Sequence, residues 1–491
     1  MYRSRFEKGL ADTSASFISS LSEDERIFDQ DIVATMAHDI MLYEQRILKL
    51  QDLRAILQAL QEIRKRKGMD GQHFEDVHEF LESKVISAVG LATGGKMHTA
   101  RSRNDQVNVA IRMRIRTDIL DLCAVILELS RTILRLAGRY IAQLMPLYTH
   151  TQRAQVGTLG HYLMSQVDLF SRDFERLMQS YARVNLNPLG ACAIGGTSFP
   201  IDRKRTSALL GFGGLVENSI DAVSSRDFAI EAVAAIAILM SNLSRMSEDL
   251  ILWSTSEFNF IEIGDEYASP SSVMPQKKNP CTLELIRAKT GRASGSLILM
   301  LTGIKGLPTG YNRDLQDLKP PIWTSFDIAI ASIKVLTGIL STLKVNRRIL
   351  EEASSTGFLT AVDLAEQIVQ RHDLSFREAH RLVGALVKRC LATDRQLSDL
   401  RAEEIRRISS NTLGREIGLS KKFLSMALDP HLCLMRRKST GSPNPNELRR
   451  MLRSRKANLD RVESVLNARL ASLRSSEALM ARTVKRYMRE R

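Results

Sequence analysis

Residues 104–145 read NDQVNVAIRMRIRTDILDLCAVILELSRTILRLAGRYIAQLM. No proline interrupts them, and Val107, Ile111, Ile115, Ile119, Leu122, Ile126, Leu129, Ile133, Leu136, Tyr140 and Leu144 recur every three or four residues. That spacing lays one apolar stripe along an α-helix, and at 1.5 Å per residue the helix runs to about 60 Å. A stripe of that length must be covered by partners of similar length. Candidates are Asp221 to about Ser254, His161 to Val184, Thr282 to Ile304 and Ile322 to Leu343, and no segment keeps strand alternation at length. The expected fold is all-α, with a central bundle of long helices.

Outward from the bundle, Ser14 to Gly68 is helical, with Ile32, Met36, Ile40, Ile47, Leu50, Leu53, Ile56, Leu57 and Leu60 at helical spacing, and Phe74 to Ile86 continues it to a glycine-rich hinge at Gly90–Gly95. His78 lies between Glu75 and Glu82, where a helical histidine is a ligand, a base or, more often, a structural partner of the carboxylates. Beyond Ser375 the pattern is shorter in period, more charged, and broken by the turn-rich stretch Thr440–Pro445. Three helical domains are expected, at 1–105, 106–358 and 359–491.

The 491 residues are ample for a large core, and 44% hydrophobic with 5% aromatic residues suits a helix-rich globular chain. Net charge is +15, which raises nucleic acid, membrane surface and anionic substrates as partners. The basic residues are scattered. Where they concentrate, at Leu448–Leu452 and Met480–Arg491, they interleave with apolar positions as on the solvated face of a helix. Aromatic platforms and a nucleic-acid reading motif are lacking, so no nucleic-acid partner is expected. No apolar run approaches the roughly 20 residues of a membrane span, and no secretory core follows the start. The five cysteines, Cys123, Cys192, Cys281, Cys390 and Cys433, are odd in number and lack ligand spacing. They read as thiols of a reducing compartment, and the protein is expected in the cytoplasm, with neither metal nor cofactor.

Four polar clusters interrupt the helices: Met97–Gln106, Thr149–Gln155, Ser271–Asn279 and Tyr311–Lys319. In the first, two arginines with serine, asparagine and threonine suit carboxylate recognition. In the third, three prolines from Pro270 to Pro280 exclude regular structure, so Ser271, Ser272, Lys277 and Lys278 are expected on a loop. Asn279 suits an N-cap and Pro280 the first position of the following helix, whose N–H groups and dipole would favour an anion beside the serines. The first cluster precedes the long helix and the second follows it, so within one straight bundle they are not neighbours. If they share a site, further copies of the chain bring them together, which predicts a homo-oligomer with composite sites.

These clusters carry a resemblance. Ser271–Pro280 resembles the signature loop of the fumarase/aspartase superfamily, and Met274-Pro275-Gln276-Lys277-Lys278-Asn279-Pro280 is similar to that of its argininosuccinate lyase branch. His98–Val107, Thr149–Gln155, Asn218–Phe228 and Tyr311–Lys319 resemble that branch in the same order, so the likeness runs from about Ser14 to about Pro445. It implies anti elimination of argininosuccinate to arginine and fumarate, without a cofactor, in a tetramer whose active sites are shared between subunits. By the same resemblance Ser271 is the base, Lys277 helps to stabilise the aci-carboxylate dianion, and Glu284 orients and charges His150. His150 then serves as acid for the leaving group or as anchor of the site. Ser20, Arg103, Asn104, Thr149, Asn279, Tyr311, Gln316 and Lys319 are implied to hold the substrate.

Taken alone, His150 reads as a structural histidine, Glu284 as a first-turn carboxylate favoured by the helix dipole and Tyr311 as a packed ring; the ordered motifs give them a site. The chain departs from the branch at four places. Pro270 stands where glycine is usual before the serines, and Ala100 replaces the glycine of H-T-G-R, which suits alanine only if φ there is negative. Tyr2–Phe6 shortens an N-terminal W-G-G-R-F, and the tail beyond Arg469 is extended. A catalytically silent scaffold protein and another superfamily lyase, such as adenylosuccinate lyase, are the competing readings.

Overall fold

The long helix begins on a built cap. In the computed structural model, which describes residues 7, 9–66, 68–69 and 74–489, the Ser102 hydroxyl accepts the Asn104 N–H while Asp105 accepts the Ser102 N–H. The departure at Tyr2–Phe6 lies outside the described residues. The principal helices are α1 (Phe28–Glu44), α2 (Leu50–Arg66), α3 (Val77–Val89), α4 (Arg103–Arg139), α5 (Leu159–Val184), α6 (Asp227–Trp253), α7 (Cys281–Ile304) and α8 (Lys319–Thr342). After them come α9 (Ala361–Arg371), α10 (Phe376–Leu391), α11 (Ala402–Leu413), α12 (Lys421–Leu428) and α13 (Pro445–Arg489).

The fold is helical, as the periodicity requires, and α4 to α8 form the bundle. Ile119, Ile126 and Ile133 of α4, Phe170 of α5, Ile236 and Leu243 of α6, and Phe326 and Ile333 of α8 are at most 1% exposed and share one core. Side chains that bury one another along their whole length stabilise these helices far more than intrinsic propensity does.

The stripe was expected to carry the helix to Met145, but α4 stops at Arg139 and Leu144–Thr149 is strand β1, paired antiparallel with β2 (Gln152–Thr158). Pro146 sits inside β1, and a proline disfavours the helical region for the residue before it. Leu144 and Met145 are buried all the same, on a strand instead of a helix. The helix expected from Asp221 is likewise broken. Ser219–Ser224 is a separate turn, Ser225 is extended, and α6 starts after Arg226, whose buried guanidinium donates to the carbonyls of Val223 and Ser225.

Leu364, Ile368, Leu382, Leu386 and Leu424, from α9, α10 and α12, pack in a core of their own, whereas Leu448, Met451, Leu459, Leu466 and Val484 of α13 belong to the bundle's core. The arginines of α13 occupy the solvent side of that 45-residue helix, as the interleaving suggested. Two segments, Asp227–Trp253 and Arg313–Thr342, are long and apolar enough to cross a membrane, contrary to the sequence reading; 61% of each apolar window is buried inside the chain, as expected of core helices.

Candidate active site

Six of the twelve residues singled out from the sequence meet at one end of the bundle. Lys319, at the start of α8 and 3% exposed, donates to Ser20 Oγ at 3.0 Å and pairs with Asp24, which is fully buried. Ser20 in turn donates to Asp24 at 2.9 Å, and the N–H of Val77 donates to the same carboxylate at 3.2 Å. Gln316 Nε2 donates to the carbonyl of Ile18 at 3.1 Å. Arg103, at the first turn of α4, faces Asp76 at 2.9 Å and Glu75 at 3.3 Å, and Asn104 donates to the carbonyl of Ala193 at 2.9 Å. Tyr311 stands in the field of Arg226, Arg313, Asp76 and Asp24, and burial pushes its phenol above its ordinary value.

The Arg/Asn cluster divides its work. Arg101 is 4% exposed and donates to Thr35 Oγ1 at 2.8 Å, Gln106 donates to Asp31 at 2.9 Å, and Asp105 accepts the N–H groups of Gly190 and Cys192. Those three are internal ties, whereas Arg103 and Asn104 are only partly buried. Burial raises the Asp105 carboxyl to about 6 against the pull of its three N–H donors. Burial, with Arg101 and Arg103 close by, lowers His98 to about 4.

Sequence reasoning missed the carboxylates of this pole. Asp24 lies one helical turn after Ser20, and Asp76 caps α3 through the N–H of Glu79 at 2.8 Å. Burial would lower His78, but Asp31 at 3.0 Å, with Asp76 and Asp24, raises it instead. Burial would equally raise Asp76, and His78 and Arg103 hold it below its ordinary value. The spacing from Ser20 to Asp24 is the one signal in the sequence that could have been read.

The other six residues lie at the opposite end, where the end of α6, the start of α7 and the hairpin come together. Tyr162 of α5 meets Trp253 of α6 with ring centroids 4.6 Å apart, Tyr148 of β1 meets Phe258 at 6.0 Å, and Arg287 of α7 pairs with Glu248 of α6. Thr149 closes β1 opposite Gln152, and His150 and Thr151 form the two-residue turn with φ of 53° and 57°. That turn belongs to the type I′ class, in which Asn-Gly is favoured because both positions need positive φ. A β-branched threonine there is strained, and strain of this kind collects at functional sites. His150 is exposed at the tip.

The serine-bearing segment is more regular than the prolines suggested. Ser269–Pro270 and Lys278–Asn279 pair as a short antiparallel ladder, so the loop is a hairpin with Ser271 just inside its neck. Pro270 fits because it stands at the end of a two-residue strand whose ladder does not need its N–H. Asn279 is therefore a strand residue; Pro280 occupies the N-cap position of α7, and its carbonyl accepts the N–H of Leu283 and of Glu284. Ser271 Oγ accepts the N–H of Met274 at 3.0 Å and of Val273 at 3.3 Å. Lys278 is taken up by Glu262 and Asp265, whereas Lys277 has no ion-pair partner among the described residues. Glu284 is exposed in the first turn of α7, and among the described residues no hydrogen bond or ion pair joins it to His150.

The two groups stand at opposite ends of α4, whose 37 residues span about 55 Å. One chain thus presents a buried, polar pole around Lys319 and a more exposed, serine- and lysine-bearing pole around Ser271.

Residues 5–295 match a protein family described as Lyase, and residues 358–434 one described as Argininosuccinate lyase C-terminal. A protein of Nitrosopumilus maritimus named argininosuccinate lyase is 42% identical over 97% of this chain and 98% of its own length. One of the same name from Methanosarcina mazei is 45% identical over 93% of each. Among solved structures, an EDDS lyase in complex with formate superposes with a TM-score of 0.88 at 31% identity, over 94% of this chain and 92% of the other. A class II fumarase of Schistosoma mansoni, 15% identical with a TM-score of 0.69 over 83% of this chain and 90% of its own, shares the fold.

Proposed function

The chain belongs to the argininosuccinate lyase family, and from that premise we propose that it cleaves argininosuccinate to arginine and fumarate by anti elimination, at sites assembled between copies of the chain. The observation that carries the chemistry is the double N–H contact to Ser271 Oγ. A serine hydroxyl is a poor base at its ordinary pKa and acts as one only where its alkoxide is stabilised. Two preorganised amide donors do that, and the positive end of α7 adds to it.

Ser271 takes the proton from the carbon next to a carboxylate. The C–H electron pair becomes the new double bond, and the C–N pair leaves with the guanidino nitrogen, which takes up a proton. Negative charge collects on the carboxylate in between. Lys277, without an internal ion pair, is the cation that meets it. His150, charged by Glu284, supplies the proton to the leaving nitrogen, and since the two are not joined within one chain the pairing is between copies. Thr149 and Asn279 flank the reacting carbons. Ser20, Arg103, Asn104, Tyr311, Gln316 and Lys319 hold the carboxylates, amino group and guanidino region from the other pole of a neighbouring copy.

A face needing a neighbour supports the assembly. Leu285, Ile298, Leu299 and Leu301 of α7 are 49–64% exposed, with Ile238 of α6 at 44%. A run of large apolar side chains along one bundle helix is costly in water and marks an interface, and a tetramer of antiparallel bundles covers it. Five free thiols suit a cytoplasmic location.

The test follows fumarate by ultraviolet absorbance, with argininosuccinate as substrate and adenylosuccinate as control. The parent should cleave only the former, and Ser271→Ala should lose at least about a thousandfold in kcat. Equal rates in both would remove Ser271 as the base; inactivity of both would favour the silent scaffold.

A further inference from the structure

One sizeable cavity belongs to neither pole. About 940 Å³ in volume, it lies between α1, the middle of α4, the helix Arg203–Leu210 and the last turns of α13. Its lining is mixed: Val33, Met36, Met113, Leu210, Met480 and Val484 form an apolar side, and polar and charged side chains form the rest. The volume is that of a small-molecule site, and the methionine and aliphatic side is suited to adaptable apolar contacts.

Helix α13 forms the roof and is pinned beyond the cavity. Tyr487 donates to Glu44 at 2.8 Å and its carbonyl accepts Arg54 Nε at 2.8 Å. On the other side Gly211 lies so close to α13 that a Cβ there would clash with Ser476 Oγ. The space is therefore bounded by fixed contacts at both ends.

One wall carries a charge. Arg116 is 5% exposed, and its terminal nitrogens are spent on neutral oxygens: Asn185 Oδ1 at 3.0 Å and the carbonyls of Gly211 and Leu210 at 3.1 and 2.9 Å. Its Nε is buried without a hydrogen-bond partner, and among the described residues no carboxylate pairs with it. The Tyr181 phenol and, after it, Glu477 act on its charge, and Glu477 sits exposed at the mouth. Arg64, Lys65 and Lys485 also line the opening; Arg64 pairs with Asp29 at 3.1 Å and Lys65 with Glu62 at 2.7 Å, which leaves Lys485 and the buried Arg116 facing Glu477. A buried guanidinium with no counter-charge, at the wall of a cavity with an apolar side, is complementary to an anion attached to an apolar body.

We propose that this cavity is a second ligand site, for a small amphipathic anion whose carboxylate or sulfonate lies in the field of Arg116 and beside Lys485 while its apolar part fills the space beneath α13. It lies three to four turns into α4 from Arg103, so it is separate from the reacting groups.

The probe is 8-anilinonaphthalene-1-sulfonate, titrated by fluorescence into the full-length protein, with N-phenyl-1-naphthylamine as its uncharged analogue. Ala481 is exposed at the roof, so Ala481→Trp should close the space without disturbing the fold. A saturable component of about one sulfonate per chain should weaken at least about tenfold in Ala481→Trp, and several-fold in Lys485→Glu, while argininosuccinate cleavage is unchanged. The uncharged analogue should bind that component about tenfold more weakly. A titration that neither variant alters overturns the site, and equal affinity for the uncharged analogue overturns its preference for an anion. Lys485→Glu, at an exposed position, decides the matter if Ala481→Trp misfolds.

Discussion

Lys319 Nζ lies 3.0 Å from Ser20 Oγ, across 299 residues of chain, and both side chains share the buried carboxylate of Asp24. Removing one member of such a pair leaves a buried charge without compensation, at a cost of about 3–5 kcal/mol. Lys319→Met should therefore lower stability by that order and abolish turnover. The double variant Lys319→Met with Asp24→Asn should regain most of the stability, because neither charge remains, and none of the activity. Chemical denaturation beside a fumarate assay separates the two effects. Recovery of activity in the double variant would show that Lys319 is only structural.

Ala100 adopts φ of 58° at a position 9% exposed, although an L-residue is disfavoured there. The left-handed region costs a non-glycine residue about 1–2 kcal/mol, and glycine's additional chain entropy is roughly 0.5–1 kcal/mol. Ala100→Gly should thus raise stability, by about 0.5–1 kcal/mol. Because the residue sits in the turn that aims Arg103, the prediction is read from the thermal midpoint together with KM. A lower midpoint would mean that the methyl's packing outweighs the backbone strain.

Adjacent on α1, His38 and Asp39 titrate in opposite senses. Burial raises Asp39 to about 8, and both of its oxygens are buried without a hydrogen-bond partner among the described residues. Burial also lowers His38 to about 3. For Asp39 the folded state keeps a proton that the unfolded chain has released, so its contribution to stability falls from about pH 4 to about pH 8 and is then level. For His38 the unfolded chain takes up a proton that the folded state refuses, so stability rises from about pH 3 to about pH 6.5. Between about pH 4 and pH 6.5 the two slopes oppose each other, so Asp39→Asn should flatten the fall above about pH 6.5 and uncover the His38 rise below it. Thermal midpoints at about pH 5, 6 and 9 test this; an unchanged difference between the last two would remove Asp39 as its source.

Much of this was legible before any coordinates because the signals were local. The stripe from Val107 to Leu136 can face only one way, and the length of α4 alone separated His150 from Arg103. Where α4 ends was not legible, since Leu144 falls in phase with the helical stripe and is buried on a strand just as well. Pro146 was the sign that Met145 would be extended. Asp24 and Asp76 were passed over because a carboxylate near a helix start is ordinarily solvated; only packing α3 against the segment at Ser20 buries them. The neck of the serine hairpin escaped notice for a related reason. Proline excludes a central strand but tolerates the end of a two-residue ladder, as Pro270 does.

The separation of the poles makes its own prediction. Arg103 stands at the first turn of α4 and His150 beyond its last, so an active site that needs both draws them from different copies. His150→Asn and Arg103→Gln should each be inactive as pure proteins. If the two are dissociated, mixed and reassociated, some sites receive an intact His150 from one variant and an intact Arg103 from the other, and cleavage of argininosuccinate returns. Mixing without dissociation should restore nothing, which controls for contamination. Were Arg103 and His150 to act from the same chain, every site would carry one defect or the other, and reassociated mixtures would stay as inactive as their parents.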